Sequence, residues 1–384
     1  MVLVALSLGP FAMHIFGQGA PAGLEEEIQK VFDDRKMTGL AVAVVSGDSI
    51  IYQKAMGYRV PPEEGVTPDT LQEDDLFALA SVSKTFIATA IMRLVDEKKL
   101  KLDEDAQKYL GFRLRNPNSP DKKITIKHLL THTSGITDSH GWWNIDYINP
   151  SKDKEYSKSY TDNVPGRHYE YCNLNYTLLA GVIEGVTGKR FDSVVDEFIM
   201  EPLGLGGSFN SNKLDKTKFV DYYYYDESKK KRMINDYFYR QYPQLEPAKY
   251  VLGENLSLEY PAAGMKITAA DLARYMMMHM NYGQLGGTRV ISKKSEQQMQ
   301  KNYVGSSNYG LSYRQYEGLV PGAVLHGQTG GGGGVKTCMI FDPEKKIGFV
   351  VLSAGATSAE IDGYGDIHKP LIKALYKYLF ADGK

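Results

Sequence analysis

Ser81 and Lys84 stand three residues apart at the start of the run SVSKTFIATAIMRLV, and that spacing can do chemistry. On a helix, residues i and i+3 share a face, so the Lys84 ammonium falls beside the Ser81 hydroxyl. The first turn adds unpaired backbone N–H groups and a positive dipole end that steadies a developing anion, while burial and the dipole lower the lysine pKa toward a value fit for proton transfer. A serine activated by lysine is a nucleophile for acyl transfer. Ser-x-x-Lys also occurs at Ser119, Ser151 and Ser228, among Pro, Asn and Asp or in a charge run, which predicts solvated loops there. Only Ser81 opens a long apolar helix. Taken alone, a serine in that place reads more simply as an N-cap.

Two further patterns give the serine company. Tyr171-Cys172-Asn173 precedes the apolar helix Leu174 to Val186; near a lysine a phenol can be held partly or wholly ionised and act as a base, and an Asn amide can orient both the lysine and an acyl substrate. Gln328-Thr329-Gly330-Gly331 opens the glycine run Gly330 to Gly334. Backbone without side chains lets a substrate lie against a strand edge and lets an N–H aim at an oxyanion, paired with the N–H of the serine itself. A phosphate loop is excluded, because Val335 rather than Gly precedes Lys336-Thr337. Each pattern has a plainer reading: a half-buried tyrosine, a flexible glycine loop. Tyr-x-Asn recurs at Tyr147 to Asn149.

The elements that must position these residues show a symmetry between the chain ends. Leu24 to Lys36 reads as an amphipathic helix, followed by strands Gly39 to Val45 and Ser49 to Met56 around Ser46-Gly47-Asp48. Near the other end, strands Thr337 to Phe341 and Ile347 to Ser353 flank Asp342-Pro343-Glu344 and precede a helix from about Ile367 to Phe380. The middle is helical in pattern, at Lys84 to Glu97, Ile126 to Thr131, Leu174 to Val186, Ser193 to Ile199 and Ala269 to Met280. An α+β fold follows: an antiparallel sheet built from both ends, residues 20–75 and 320–384, with a mostly helical region, residues 76–319, inserted between them. Tyr222 to Tyr225 with Tyr237, Tyr239 and Tyr242, around the basic run Lys229 to Arg232, reads either as a small surface hairpin or as a wall of a substrate cleft.

The 384 residues are 42% hydrophobic and 24% charged, a globular composition, and 45 Lys plus Arg against 46 Asp plus Glu argue against a nucleic-acid or anionic-membrane partner. Cys172 and Cys338 are too few for a disulfide scaffold, and no ligand spacing suggests a metal. Met1 to Phe16 carries no Asp, Glu, Lys or Arg and is followed by small residues, so residues 1–19 read as an export segment with the protein delivered to the periplasm or cell surface; the basic start usual in such segments is missing. No later stretch is apolar enough to anchor the mature chain in a bilayer.

The three patterns, in this order and at these intervals, resemble the serine β-lactamase and D-alanyl-D-alanine peptidase superfamily, especially its class C and family VIII esterase branch. Ile124 to Ile136, Pro165 to Gly188, Glu201 to Leu205, Pro261 to Tyr275 and Phe341 to Ser353 also look like blocks of that family. The resemblance implies a β-lactamase-like fold without a cofactor. It implies Ser81 as acylated nucleophile, Lys84 as its proton-transfer partner and Tyr171 as general base and acid. Asn173 would contact Lys84 and the substrate, and the N–H groups of Ser81 and Gly331 would form the oxyanion hole. Gln328, Thr329 and Gly330 would line the substrate strand. His132, in the block THTSG, would be part of a structural turn capping a helix, and Cys172 a small packing residue.

Gln328 departs from the family, which carries a cation at that position that helps lower the tyrosine pKa and binds a substrate carboxylate; glutamine offers hydrogen bonds and no charge. His326, two residues earlier, would replace it only in a different strand register. The expected activity is a serine hydrolase acting on a small ester, amide or peptide, in the order esterase or amidase, peptidase, β-lactamase. Transfer to a non-water acceptor is the variant reading, and a non-catalytic penicillin- or peptide-binding sensor is the reading from another class.

Overall fold

The computed structural model describes residues 20–63, 66–226, 228–229, 231–234, 249–256, 260–356, 360–361, 364–365 and 367–381. The expected export segment and Tyr237, Tyr239 and Tyr242 lie outside these residues.

Helix α1 (Leu24–Asp34) leads into strands β1 (Gly39–Ser46), β2 (Ser49–Val60) and the short β3 (Asp69–Thr70). The C-terminal part supplies β4 (Arg314–Glu317), β5 (Val324–Gly332), β6 (Val335–Asp342) and β7 (Ile347–Ala354). Together they form one antiparallel sheet in the order β4-β5-β6-β7-β1-β2-β3, with β1 and β7 joining the two chain ends at its centre. The sheet thus starts at Arg314, ahead of the boundary expected near residue 320.

Period-two alternation explains why both faces of this sheet are buried. Leu40, Val42 and Val44 of β1 join Leu24 and Ile28 of α1 and Leu371, Ile372 and Leu375 of helix α7 (His368–Tyr376, at the chain's end) in one apolar cluster. Ala41, Ala43 and Val45 point the other way, into the larger core shared with the middle region. That region contains α2 (Ser83–Asp96), α3 (Ile126–Leu130), α4 (Leu174–Thr187), α5 (Ala269–Met280) and α6 (Lys293–Gln300). Helix α6 has no counterpart in the sequence reading, since KKSEQQMQ carries only one apolar residue to mark a buried face. The expected helix at Ser193 to Ile199 begins earlier, at Phe191–Val195, and continues as a wider turn through Met200. Among the described residues no helix is long and apolar enough to cross a membrane.

Helix α2 is the pivot of the arrangement. Eleven of its residues, from Ser83 to Leu94, are buried, so its first turn is fixed by packing on all sides rather than by capping. Ser119, Ser151 and Ser228, the rival Ser-x-x-Lys serines, sit outside helices and strands, in bends or turns.

Candidate active site

Ser81 occupies a tight 3-10 turn, Ala80–Val82, that feeds into α2, and it caps nothing. Ala80 holds a left-handed φ of 46°, a conformation that costs a non-glycine residue about 1–3 kcal/mol and survives only where its surroundings over-determine it. They do so here. The Leu79 N–H donates to the Met265 carbonyl (2.9 Å), the Thr337 hydroxyl donates to the Leu79 carbonyl (2.6 Å), and the Ala78 N–H donates to the Tyr222 hydroxyl (2.8 Å). Tyr222 is fully buried and so belongs to this support rather than to a cleft wall. The segment after it, Tyr223–Asp226 paired with Lys231–Ile234, is a small extra hairpin.

Lys84 is fully buried and its Nζ donates three hydrogen bonds, to Ser81 Oγ (2.9 Å), Asn173 Oδ1 (2.8 Å) and the Ala262 carbonyl (3.0 Å). Burial of the ammonium brings its pKa down to about 7, against the opposing pull of the Asp138 charge. The lysine therefore sits close to the neutral range, where it can take a proton as well as give one.

Tyr171 lines the cleft with Ser81, and its ring faces the lysine, with Lys84 Nζ 5.1 Å from the ring centroid. The protein packed around the phenol pushes its pKa well up, and the influence of Ser81 only partly offsets this. Because 37% of the residue faces the open cleft, water tempers that rise until a substrate fills the space. Burial thus favours the neutral phenol, and the lysine faces the ring. His132 holds this tyrosine in place. It accepts the Cys172 N–H on Nδ1 (3.1 Å) and the Glu170 N–H on its carbonyl (2.8 Å), and its ring packs 4.3 Å from that of Tyr171. Its structural reading stands: with a left-handed φ of 55° it closes the C-terminal end of helix α3, the Thr133 N–H donating to the His128 carbonyl (2.9 Å), and its ring supports the tyrosine as well. Cys172 is buried, its thiol donating to Asp138 (3.1 Å) with its pKa raised by burial, as suits a packing residue.

The glycine run is a hairpin, not a loose loop: Gly330 to Gly332 belong to β5, Gly333 and Gly334 make the left-handed two-residue turn, and β6 follows. A Cβ on Gly330 would lie 2.4 Å from Thr337 Oγ1, 2.5 Å from the Leu79 carbonyl and 2.9 Å from the Ser81 nitrogen, so only glycine lets β5 pass this close to the nucleophile. Strand β4 pairs with β5 only over Val324 to Gly327, which leaves the edge from Gln328 onward open beside Ser81.

These residues line one cleft of about 350 Å³, formed by Ala80, Ser81, Trp142, Tyr171, Asn173, Ala263, Arg314 and Gln328 to Gly331. All eight residues singled out in the sequence thus meet, with Lys84 buried beneath Ser81. The register is the one expected, and His326 pairs with Phe341 outside the cleft lining. Gln328 is buried, and its amide donates to the Tyr309 hydroxyl (2.9 Å).

The cleft nevertheless holds a cation. Arg314, opposite Gly327 in the β4–β5 ladder, lines it and donates to the Tyr169 hydroxyl (3.3 Å). The charge missing at position 328 is present on the neighbouring strand. Sequence reasoning also missed Trp142, the Ala262 carbonyl and Asp138. Asp138 and Ala262 sit next to or inside the quoted blocks, but nothing in the chain order brings them to Lys84.

Comparison with known proteins agrees with this geometry. The Beta-lactamase family profile matches residues 24–370, and the chain belongs to that family. Esterase EstB of Burkholderia gladioli is 29% identical over 223 residues, 53% of this chain and 55% of EstB, so this match spans about half the relative's length. Penicillin-binding protein 4 of Amycolatopsis lactamdurans is 26% identical over 91% of this chain and 89% of its own. Among solved structures, the octameric penicillin-binding protein homologue from Pyrococcus abyssi superposes with a TM-score of 0.72 at 25% identity, covering 93% of this chain and 76% of that one.

Proposed function

We propose that the chain is a serine hydrolase that cleaves a small ester or amide through an acyl-enzyme on Ser81. The observation that carries this reading is the 2.9 Å contact between Ser81 Oγ and a buried Lys84 whose pKa lies near 7. Neutral Lys84 takes the Ser81 proton as Oγ bonds to the substrate carbonyl carbon. The carbonyl oxygen becomes an oxyanion held by the N–H groups of Ser81 and Gly331. The Tyr171 phenol gives its proton to the departing oxygen or nitrogen and regains one from Lys84, so the carbon–leaving-group bond breaks and the acyl ester remains. Water then adds to the ester carbonyl carbon, the bond from that carbon to Oγ breaks, the carboxylic acid leaves, and the proton given up by the water restores the Ser81 hydroxyl.

Arg314 favours a second reading of the substrate, in which a carboxylate lies beside the scissile bond, as in a peptide or a β-lactam. A panel of p-nitrophenyl esters, D-amino-acid amides and peptides, and a chromogenic cephalosporin decides between the two. Faster turnover of uncharged esters supports the first reading, and faster turnover of the carboxylate-bearing compounds supports the second. The charge-free stretch Met1 to Phe16 supports action outside the cytoplasm.

A further inference from the structure

We propose that Asp138 is the positioning residue of this site: its carboxylate caps helix α4 in place of Asn173 and thereby turns the Asn173 side chain onto Lys84. The proposal rests on the acyl-enzyme reading above and extends it to a residue outside the cleft lining.

Asparagine directly before a helix ordinarily turns its side-chain oxygen onto the N–H groups of the first turn. Asn173 stands in that place before Leu174, yet it makes no such bond, and its backbone is helical rather than extended (φ −71°, ψ −35°). Its Oδ1 accepts from Lys84 instead. The capping is done from a distant loop: Asp138 Oδ1 accepts the Leu174 N–H (3.0 Å) and Oδ2 accepts the Asn173 N–H (2.8 Å). Oδ2 also accepts from Asn173 Nδ2 (2.8 Å), and Oδ1 from the Cys172 thiol (3.1 Å).

A planar amide whose nitrogen is fixed has one place left for its oxygen, and here that place faces the lysine. Four donors converge on the two oxygens of one ion. An amide at position 138 would offer a single acceptor oxygen and set its own N–H groups against some of those donors.

The charge matters as well as the shape. Around Lys84 stand Ser81, Asn173, the Ala262 carbonyl, the rings of Tyr171 and Tyr176 (5.1 and 5.7 Å from Nζ), His132 and Cys172. Burial disfavours the charged forms of His132 and Cys172, which leaves Asp138 as the anion that opposes the lysine's desolvation. Removing it lowers the Lys84 pKa further.

The test compares the wild type with Asp138→Asn and with Asp138→Ser, which keeps a capping oxygen without the charge and so protects the fold. Ser81 labelling by a fluorophosphonate is followed by mass spectrometry from about pH 5 to pH 9, and the crystal structure of Asp138→Ser is determined. Labelling at least about tenfold slower, with its acid limb moved to lower pH, and an Asn173 side chain swung off Lys84 are the expected results. Unchanged labelling, or slow labelling with an unmoved acid limb, overturns the proposal. So does an Asn173 still bonded to Lys84. If the wild type itself is never labelled, the acyl-enzyme reading fails, and the position of Asn173 in Asp138→Ser still decides whether Asp138 holds it.

Discussion

The Nζ of Lys84, fully buried, lies 2.9 Å from the Oγ of Ser81, while burial drives the neighbouring phenol of Tyr171 toward its neutral form. In the proposed mechanism the proton acceptor of this pair is the lysine. Its pKa of about 7 sets the pH dependence with a definite sign. The reacting form is the deprotonated amine, present above that value, so kcat/KM for an uncharged ester should rise through about pH 7 and fall about tenfold per unit below it. Steady-state rates in buffers of constant ionic strength check this; a flat profile across neutral pH would assign the base elsewhere.

Gly330 is the position where β5 touches the nucleophile's turn. Gly330→Ala should reduce acylation by about 10²–10³-fold, the effect of displacing one oxyanion donor, because its Cβ would force β5 away from Ser81. Stopped-flow measurement of p-nitrophenol release gives the rate, and an unchanged melting temperature would separate the site effect from a loss of fold.

How far the sequence announced this site depends on how each residue reaches it. Ser81 and Lys84 are legible because helical spacing alone brings them together. Tyr171, Asn173 and the Gln328 to Gly331 strand are legible as patterns, and the alternating strands at the chain ends reveal the sheet. Arg314 was hidden because its place depends on strand register: only the pairing with Gly327 brings it to the cleft. Asp138 was hidden because it caps a helix that begins 36 positions later in the chain, at Leu174. Gln328 itself carries no charge, and the cation of the cleft stands on the adjacent strand.

Arg314 yields a prediction about substrate charge. Arg314→Ala should lower kcat/KM for carboxylate-bearing amides or lactams by about 10- to 100-fold, the worth of a hydrogen bond to a charged group, and leave neutral esters much less affected. Parallel kinetics on a matched acid and methyl ester make the comparison. Equal losses on both would assign Arg314 to holding Tyr169 instead.

Behind α2 lies a buried polar network that supports the fold. His279 Nδ1 bonds Glu296 Oε2 (2.6 Å), Gln300 Nε2 donates to Glu296 Oε1 (2.8 Å), and both His279 and Glu296 are fully buried. Glu296→Ala strands these partners in the core and should destabilise the protein by about 1–3 kcal/mol, with a lower melting temperature in calorimetry. Loss of activity in excess of the loss of folded protein would show that the network also reaches the site.

The central claim is that Ser81 carries the acyl group. Intact-protein mass spectrometry after brief mixing with a p-nitrophenyl ester tests it most directly. The expected result is a mass increase equal to one acyl group on a peptide containing Ser81, decaying as product forms and absent in Ser81→Ala. Turnover without any adduct on that peptide, or an adduct and turnover undiminished in Ser81→Ala, would contradict it.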